Sequence, residues 1–431
     1  MRVLVIGGYG LIGVHVVARL HAEGHAVTGL GRDVSVARRR LAYADWITKD
    51  LRRMTHSGDW TESLAGVDAV VNCAGALQDN PSDDLAAVHV HAAKALYEAC
   101  MTYGVRRVVL ISAAGVDAKG TTRFSTTKQA GEAELGNSDL DWVILRPGLV
   151  LAPMAYGGSA LLRALAALPL VIPLPPTDSV LQVVSVDDVT EAVVRAIAPN
   201  APAKINLDLV SAEKTSLKAI LTALRAWLGF APVPAVTVPI ALVAIVGKVS
   251  DALALLGWRS PMRTTSVRQL AAGVEGDPAP AREILGLSTK SLADILAAWP
   301  AGVQEHWFAR LYILKPIMLG GLAAFWASSG LIGLTYGFQP AINVLAGSMP
   351  DSLAAAFVVM GGVIDVLLAV GVCVQRFSRT ALLGIIAVSA AYLVCATIWR
   401  PDLWSDPLGP LVKVIPAALL ALVALATMGD R

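Results

Sequence analysis

The chain has 431 residues, room for two or three domains, and 55% of them are apolar, with a mean hydropathy of +0.61. A net charge of +2 without a long basic run excludes nucleic acid as the partner. The apolar excess is uneven: only 11 of the charged residues lie beyond position 310, so the tail faces a different solvent from the front.

Val3-Leu4-Val5-Ile6 predicts a strand buried on both faces. With Met1-Arg2 running straight into it, no secretory leader is expected. Gly7-Gly8-Tyr9-Gly10-Leu11-Ile12-Gly13 follows, then a helical pattern of Leu11, Ile12, Val16, Val17 and Leu20 ended by Gly24. A strand, a glycine turn and a helix N-terminus aim backbone N–H groups at a pyrophosphate. The next strand, His25–Leu30, ends at Gly31-Arg32-Asp33. An acid there holds a ribose 2′-hydroxyl and an arginine a 2′-phosphate. Arg32 comes first, with Arg38, Arg39 and Arg40 close behind, so NADP is favoured and NAD is the alternative. The plainer reading makes Arg32 a surface charge and Asp33 the cap of the next helix.

Strands and helices then alternate: Ala69–Cys73, a helix over Ala86–Tyr103, Val108–Ser112, a helix over Thr126–Leu135, and Trp142–Leu145. This is the pattern of a doubly wound parallel α/β sheet, whose ligands lie beyond the carboxyl ends of the strands. Asp50-Leu51, Cys73-Ala74-Gly75, Ser112-Ala113-Ala114 and Arg146-Pro147-Gly148 all fall there. Cys73, Cys100, Cys373 and Cys395 are too scattered for metal or redox spacing. They read as buried thiols of a reducing compartment, and no metal site is expected.

These pieces, with Lys128 and Val186-Asp187-Asp188-Val189, make the first ~300 positions resemble the extended and atypical branch of the short-chain dehydrogenase/reductases, which includes an accessory subunit of respiratory complex I. The resemblance implies that Gly7, Gly10 and Gly13, with Tyr9, Leu11 and Ile12 in the same turn, cradle the pyrophosphate. It implies that Arg32 meets the adenosine ribose or its phosphate, and that Asp50 and Leu51 flank the adenine. Ala74 and Gly75 would lie along the middle of the cofactor, Lys128 at the nicotinamide ribose and Pro147 beside the carboxamide. The superfamily's catalytic Tyr-x-x-x-Lys is here Phe124-Ser125-Thr126-Thr127-Lys128. A phenyl ring has no proton to give. Two readings follow: hydride transfer with another acid (Ser112, Ser125 or water, or Tyr9 or Tyr156 folded into the pocket), or cofactor binding without turnover.

Residues 149–310 resemble the variable substrate region of that branch. The apolar stretch Ala160–Pro173 reads as an ordinary buried helix and loop, or as a lid over an apolar ligand such as a lipid or quinone. Val236–Leu256, interrupted by Lys248 and Asp251, reads as an amphipathic helix on the membrane surface or packed on the domain.

Four spans are expected in the tail: Ile317–Leu334, Leu353–Val374, Thr380–Trp399 and Val412–Met428. Trp307, Phe308, Tyr312, Tyr336, Phe338, Trp399 and Trp404 cluster near their ends as an aromatic belt. Arg310 and Lys315, then Arg376 and Arg379, place the N-terminal domain and the C-terminus in the cytoplasm of a multi-pass inner-membrane protein. The spans, with Trp404–Pro410 before the last, resemble the DoxX-like membrane family, whose members are linked to quinone or redox functions. Asp365 inside the second span is either functional, as a proton or ligand contact, or tied structurally to Ser328, Ser329 or Ser389.

The expected organisation is a Rossmann domain over residues 1–230, a membrane-proximal connection over 231–310 and a four-helix transmembrane bundle over 311–431. The expected function is an NAD(P)H-dependent oxidoreductase for an apolar substrate, with Ser112 and Lys128 as the catalytic residues and Phe124 at the tyrosine position. The alternative is a non-catalytic nucleotide-binding subunit of a membrane complex. The bilayer is an expected partner, and a membrane complex and a homo-oligomer both stay open.

Overall fold

The computed structural model describes residues 1–81, 83–116 and 122–429. The chain divides into two compact units, Met1–Ala252 with Ser260–Ala309, and Leu253–Arg259 with Arg310–Arg431.

The first unit is built on seven parallel strands: β1 (Arg2–Ile6), β2 (Ala26–Gly31), β3 (Asp45–Thr48), β4 (Ala69–Asn72), β5 (Arg107–Ile111), β6 (Asp141–Pro147) and β7 (Ile205–Leu209). Their order is β7-β6-β5-β4-β1-β2-β3. The chain leaves β1 toward β2 on one side and returns to β4 on the other, which opens a crevice at the carboxyl end of β1. Successive residues of a strand point to opposite faces. Val3 and Val5 therefore pack with Val16, Val17 and Leu20 of α1 (Leu11–Ala22), while Leu4 and Ile6 pack with Leu96 and Cys100 of α2 (Ala92–Tyr103). Both layers are dry, so the central strands read as unbroken apolar runs. A smaller core joins α4 (Gly157–Ala166) and the helix Leu217–Trp227 through Leu162, Ala166, Ile220, Leu221 and Leu224, so the apolar stretch after Tyr156 starts as a packed helix.

The predicted helix over Ala86–Tyr103 opens with a π-helical segment, Ala87–His91, before α2. The extra residue in that turn directs His89 inward. The expectation that all four cysteines are buried is corrected: Cys100 is, but Cys373 is exposed and Cys73 and Cys395 are half-buried.

In the second unit, α6 (Val303–Leu334), α7 (Asp351–Cys373) and α8 (Gln375–Trp399) are long and apolar enough to cross a membrane. The fourth apolar segment forms α9 (Pro410–Ala426), 17 residues with Pro416 inside, one residue short of that length and about 26 Å long at 1.5 Å per residue. A small core of Leu322, Trp326, Leu382, Ile385 and Ala421 holds these helices together. Large side chains such as Leu367, Val370 and Ile398 point outward, as they do where lipid is the solvent.

Candidate functional site

The glycine turn shows what it is shaped to hold. Gly7 has φ +70°, and a Cβ there would come within 2.9 Å of the Ala74 backbone. A Cβ on Gly13 would strike the Gly7 carbonyl oxygen and lie 2.8 Å from Gly8 Cα. Only glycine lets the turn, α1 and the end of β4 come this close. The Gly10 N–H is spent on Gly7 O at 2.9 Å, and no side chain caps α1, so the N–H groups of its first turn are left for an anion. These features fit a dinucleotide pyrophosphate.

At the end of β2, Arg32 forms a short ion pair with Asp83. The Tyr9 ring lies against Gly31, so Tyr9 belongs to this end of the crevice. Asp33 accepts from the Ser35 N–H and hydroxyl at 3.1 and 2.6 Å, one residue before the N-cap Val34 of the helix Ser35–Arg40, so it braces the start of that helix without being its cap. Asp50 caps the Leu51–Arg53 turn and pairs with Arg52 at 2.6 Å; hydrogen bonding to Arg52 holds its carboxyl below the usual range.

The other end is built from α3 (Arg123–Gly136) against β4 and β5. Lys128 Nζ donates to Ile111 O at 2.9 Å and Ala74 O at 3.4 Å, and lies 3.3 Å from where a Gly75 Cβ would be. Burial lowers this amine to about 8, against the pull of Glu132. One turn along, Glu132 holds Arg146 in a buried fork, with contacts of 2.5 and 3.1 Å. Pro147 ends β6 and its carbonyl accepts from the Ala114 N–H at 2.9 Å. Ser112, at the end of β5, is buried with no side-chain partner for its hydroxyl among the described residues. Ser125 is turned elsewhere, its hydroxyl bonded to Gln269 at 3.1 Å. Tyr156 precedes the helix Gly157–Ala166 and is largely exposed.

Sequence reasoning missed His89. Its ring lies edge-on to Phe124, with centroids 6.0 Å apart, and its Nδ1 is 2.9 Å from Thr127 Oγ1. Its Nε2 accepts from the Ala76 N–H at 3.2 Å, so Nδ1 carries the proton. Burial, reinforced by Lys128, drives this imidazole down to about 2. His89 is therefore neutral with both nitrogens engaged, a scaffold for the α3 helix rather than an acid. Burial likewise pushes the Cys73 thiol up to about 12, which removes it as a nucleophile. No signal in the sequence marks His89, but the spacing of Lys128 and Glu132 on one helical face was visible.

A family model described as NAD(P)H-binding matches residues 7–169, and a second, the DoxX-like family, matches residues 323–422. The chain is 31% identical over 232 residues to a 3-diazoavenalumate denitrifying reductase of a Streptomyces species, a match covering 47% of this chain and 73% of the relative. The chain belongs to the NAD(P)H-binding family. This family member carries its nucleotide fold in front of a DoxX-like membrane domain, which makes it a membrane-associated nucleotide-binding protein. It is also 28% identical over 197 residues to an uncharacterised Mycobacterium bovis protein, 46% of this chain; it spans 20% of the length of that relative. Among solved structures, the Bacillus cereus UDP-glucuronic acid 4-epimerase in complex with NAD superposes with a TM-score of 0.54 at 18% identity, over 72% of this chain and 100% of the epimerase. The Bordetella bronchiseptica enzyme WbmG in complex with NAD gives 0.52 at 20%, over 69% and 93%. These structural likenesses show the Rossmann fold of the extended short-chain dehydrogenase/reductase type, and the NAD(P)H-binding family model supports a nicotinamide cofactor.

Proposed function

We propose that the front unit binds NADP(H) and acts as a membrane-anchored reductase on an apolar substrate of quinone or lipid type. The observation that carries this reading is Lys128, buried beside Gly75 where β4 and β5 end, with its amine lowered to about 8. Bound in the crevice, a reduced nicotinamide supplies a hydride. The chain's own share is to hold the pyrophosphate on the N–H groups after Gly10, to hold the ribose with Lys128 and to give a proton. Phe124 cannot give one and His89 is locked neutral, so the proton falls to Lys128 Nζ or to a water beside Ser112. Arg32 is the cation for a 2′-phosphate, which would share it with Asp83. The name of the Streptomyces relative supports reductive chemistry. The test is NADPH and NADH oxidation by detergent-purified protein across a panel of quinones and polyprenyl acceptors, followed by absorbance. No oxidation with any acceptor defeats the reading, and a preference for NADH defeats the role given to Arg32.

Phe124 supports a second reading, a nucleotide-binding subunit that stabilises or senses a membrane complex or homo-oligomer. Phe124→Tyr separates the two. A gain of about 10²–10⁴-fold in reductase activity marks a working site short of one acid; unchanged activity with cofactor bound favours the subunit. Recovery of the protein alone after mild solubilisation weakens the subunit reading.

The proposed location is the inner membrane, crossed several times, with front unit and C-terminus in the cytoplasm. Arg310, Lys315, Arg376 and Arg379 support this orientation. α5 (Ile240–Leu255) supports a membrane-surface role for the connection over 231–310: it buries Gly247, Ser250 and Ala254 and exposes Leu242, Ile245 and Val249.

A further inference from the structure

The membrane unit holds a polar cluster that the nucleotide site does not use. Asp365 lies three residues past the middle of α7 and is 3% exposed. Its carboxyl accepts from Ser329 Oγ of α6 at 2.9 Å and from the Tyr392 hydroxyl of α8 at 3.0 Å. Gly361 makes room for that hydroxyl, since a Cβ there would sit 2.9 Å from it. Beside this cluster is a cavity of about 60 Å³, lined by Ser329, Tyr392, Trp326, Ser389, Val414 and other residues. The Trp326 and Tyr392 rings are 14° from parallel with centroids 6.3 Å apart. Two lining groups are buried without a hydrogen-bond partner among the described residues: Trp326 Nε1, on a residue 3% exposed, and Ser389 Oγ, on a residue 0% exposed.

Chemistry and size together define the occupant. The indole N–H only donates, so it calls for an acceptor and not a bare cation. Burying it unpaired leaves its desolvation penalty uncompensated. At ~10–15 Å³ each, about four to six waters fill 60 Å³, whereas one benzene ring takes a cavity of ~150 Å³. Water is small enough, and it both accepts and donates, which suits an indole N–H and a hydroxyl. The Ser329 and Tyr392 hydroxyls both line the cavity and touch Asp365, so they connect a carboxyl at this depth to that water and give it a route for exchanging its proton.

We propose that this cavity is a hydrated proton-exchange site within the membrane unit, with Asp365 as the group that carries the proton. In the step, the Asp365 O–H bond breaks and its electron pair stays on the carboxylate, where the Ser329 and Tyr392 hydroxyls donate to it. The proton goes to the Ser329 or Tyr392 hydroxyl oxygen, that hydroxyl releases its own proton to a water in the cavity, and re-protonation is the reverse. Tyr392 is the titratable side chain in contact with Asp365 among the described residues; α6 offers Ser329 and Trp326, α8 adds Ser389, and α9 offers Val414 and Ala417. Lys413, next to Val414, is exposed.

The test is infrared difference spectroscopy on the full-length protein in lipid nanodiscs, between two pH values and after transfer to D₂O. A carboxyl C=O band should follow pH, shift in D₂O and vanish in Asp365→Asn. Tyr392→Phe, which keeps the ring, should move the band, and Ser389→Ala should slow its deuterium exchange several-fold. These two variants carry the test if Asp365→Asn does not fold. The proposal is overturned if no such band exists, if it neither follows pH nor exchanges, or if mass spectrometry finds a stoichiometric organic molecule that Trp326→Phe no longer retains.

Discussion

Gly13→Ala tests the glycine cradle with a single methyl group. The new Cβ would lie 2.8 Å from Gly8 Cα and 2.9 Å from Gly7 C, besides striking the Gly7 carbonyl oxygen. All three are backbone atoms, so no side chain can swing aside. Restoring a carbon contact of ~3.5 Å requires helix and turn to part by roughly 0.7 Å. A phosphate-directed N–H···O bond of ~2.9 Å would stretch by the same amount to about 3.6 Å, past the useful range. Bonds to a charged acceptor contribute about 1.5–3 kcal/mol each. Loss of two raises the Kd for NADPH by about 10²–10⁴-fold, since each ~1.4 kcal/mol is tenfold. The strain also lowers the stability of the front unit by about 1–3 kcal/mol. Nucleotide titration by fluorescence, beside thermal unfolding, reads both effects. Gly136→Ala is the control, because nothing lies within 4 Å of its Cβ position, at the end of α3; it should bind like the wild type. A Gly13→Ala protein whose Kd stays within threefold of wild type would refute the assignment of the turn to the phosphates.

Lys128 gives a pH dependence. Its amine sits at about 8 in the fold against an ordinary 10.5. Between those values the unfolded chain holds the proton and the fold does not, so stability rises with pH through that window, by an amount of order 3 kcal/mol. Lys128→Met should flatten this rise, seen as a difference in denaturant midpoints from pH 8 upward; parallel slopes would contradict the burial. Glu132→Ala leaves the Arg146 guanidinium buried without its fork and should destabilise the front unit by about 3–5 kcal/mol, measured by urea unfolding. Ile245→Trp on the exposed face of α5 should be quenched by brominated lipid, and a solvent-quenched tryptophan would rule out the membrane-surface helix.

Where the sequence was legible, one residue type served one local purpose. The run Val3–Ile6 with the glycines behind it announced β1, the turn and α1, because dry strands and close approach each admit few residue types. The long apolar helices were legible for the same reason, although Pro416 lies inside a fourth helix too short for the usual crossing length. β7 went unseen: Ile205–Leu209 is an edge strand with polar Asn206 and Asp208 and lacks the apolar run of its neighbours. The site divides along the same line. The turn and Lys128 sit in local motifs, whereas Arg32 meets Asp83 across 51 residues and His89 meets Thr127 across 38.

That division bears on the missing tyrosine. Read locally, Phe124 is a lost acid, and a histidine close by in space would be the natural replacement. The fold refuses that exchange. The π-helical turn swings His89 against Phe124, but the Ala76 N–H takes Nε2, Thr127 takes Nδ1 and burial keeps the ring neutral. The ring thus supports α3 from the side on which a proton would be needed, and it helps fix the helix that carries Lys128 and Glu132. On the proposed reductase reading, the proton for a substrate falls to Lys128 or to water beside Ser112. A Lys128→Arg variant keeps the positive charge but not an amine near 8, and so should retain nucleotide binding while losing turnover. Turnover at the wild-type rate in that variant would leave water as the donor and Lys128 as a ribose contact alone.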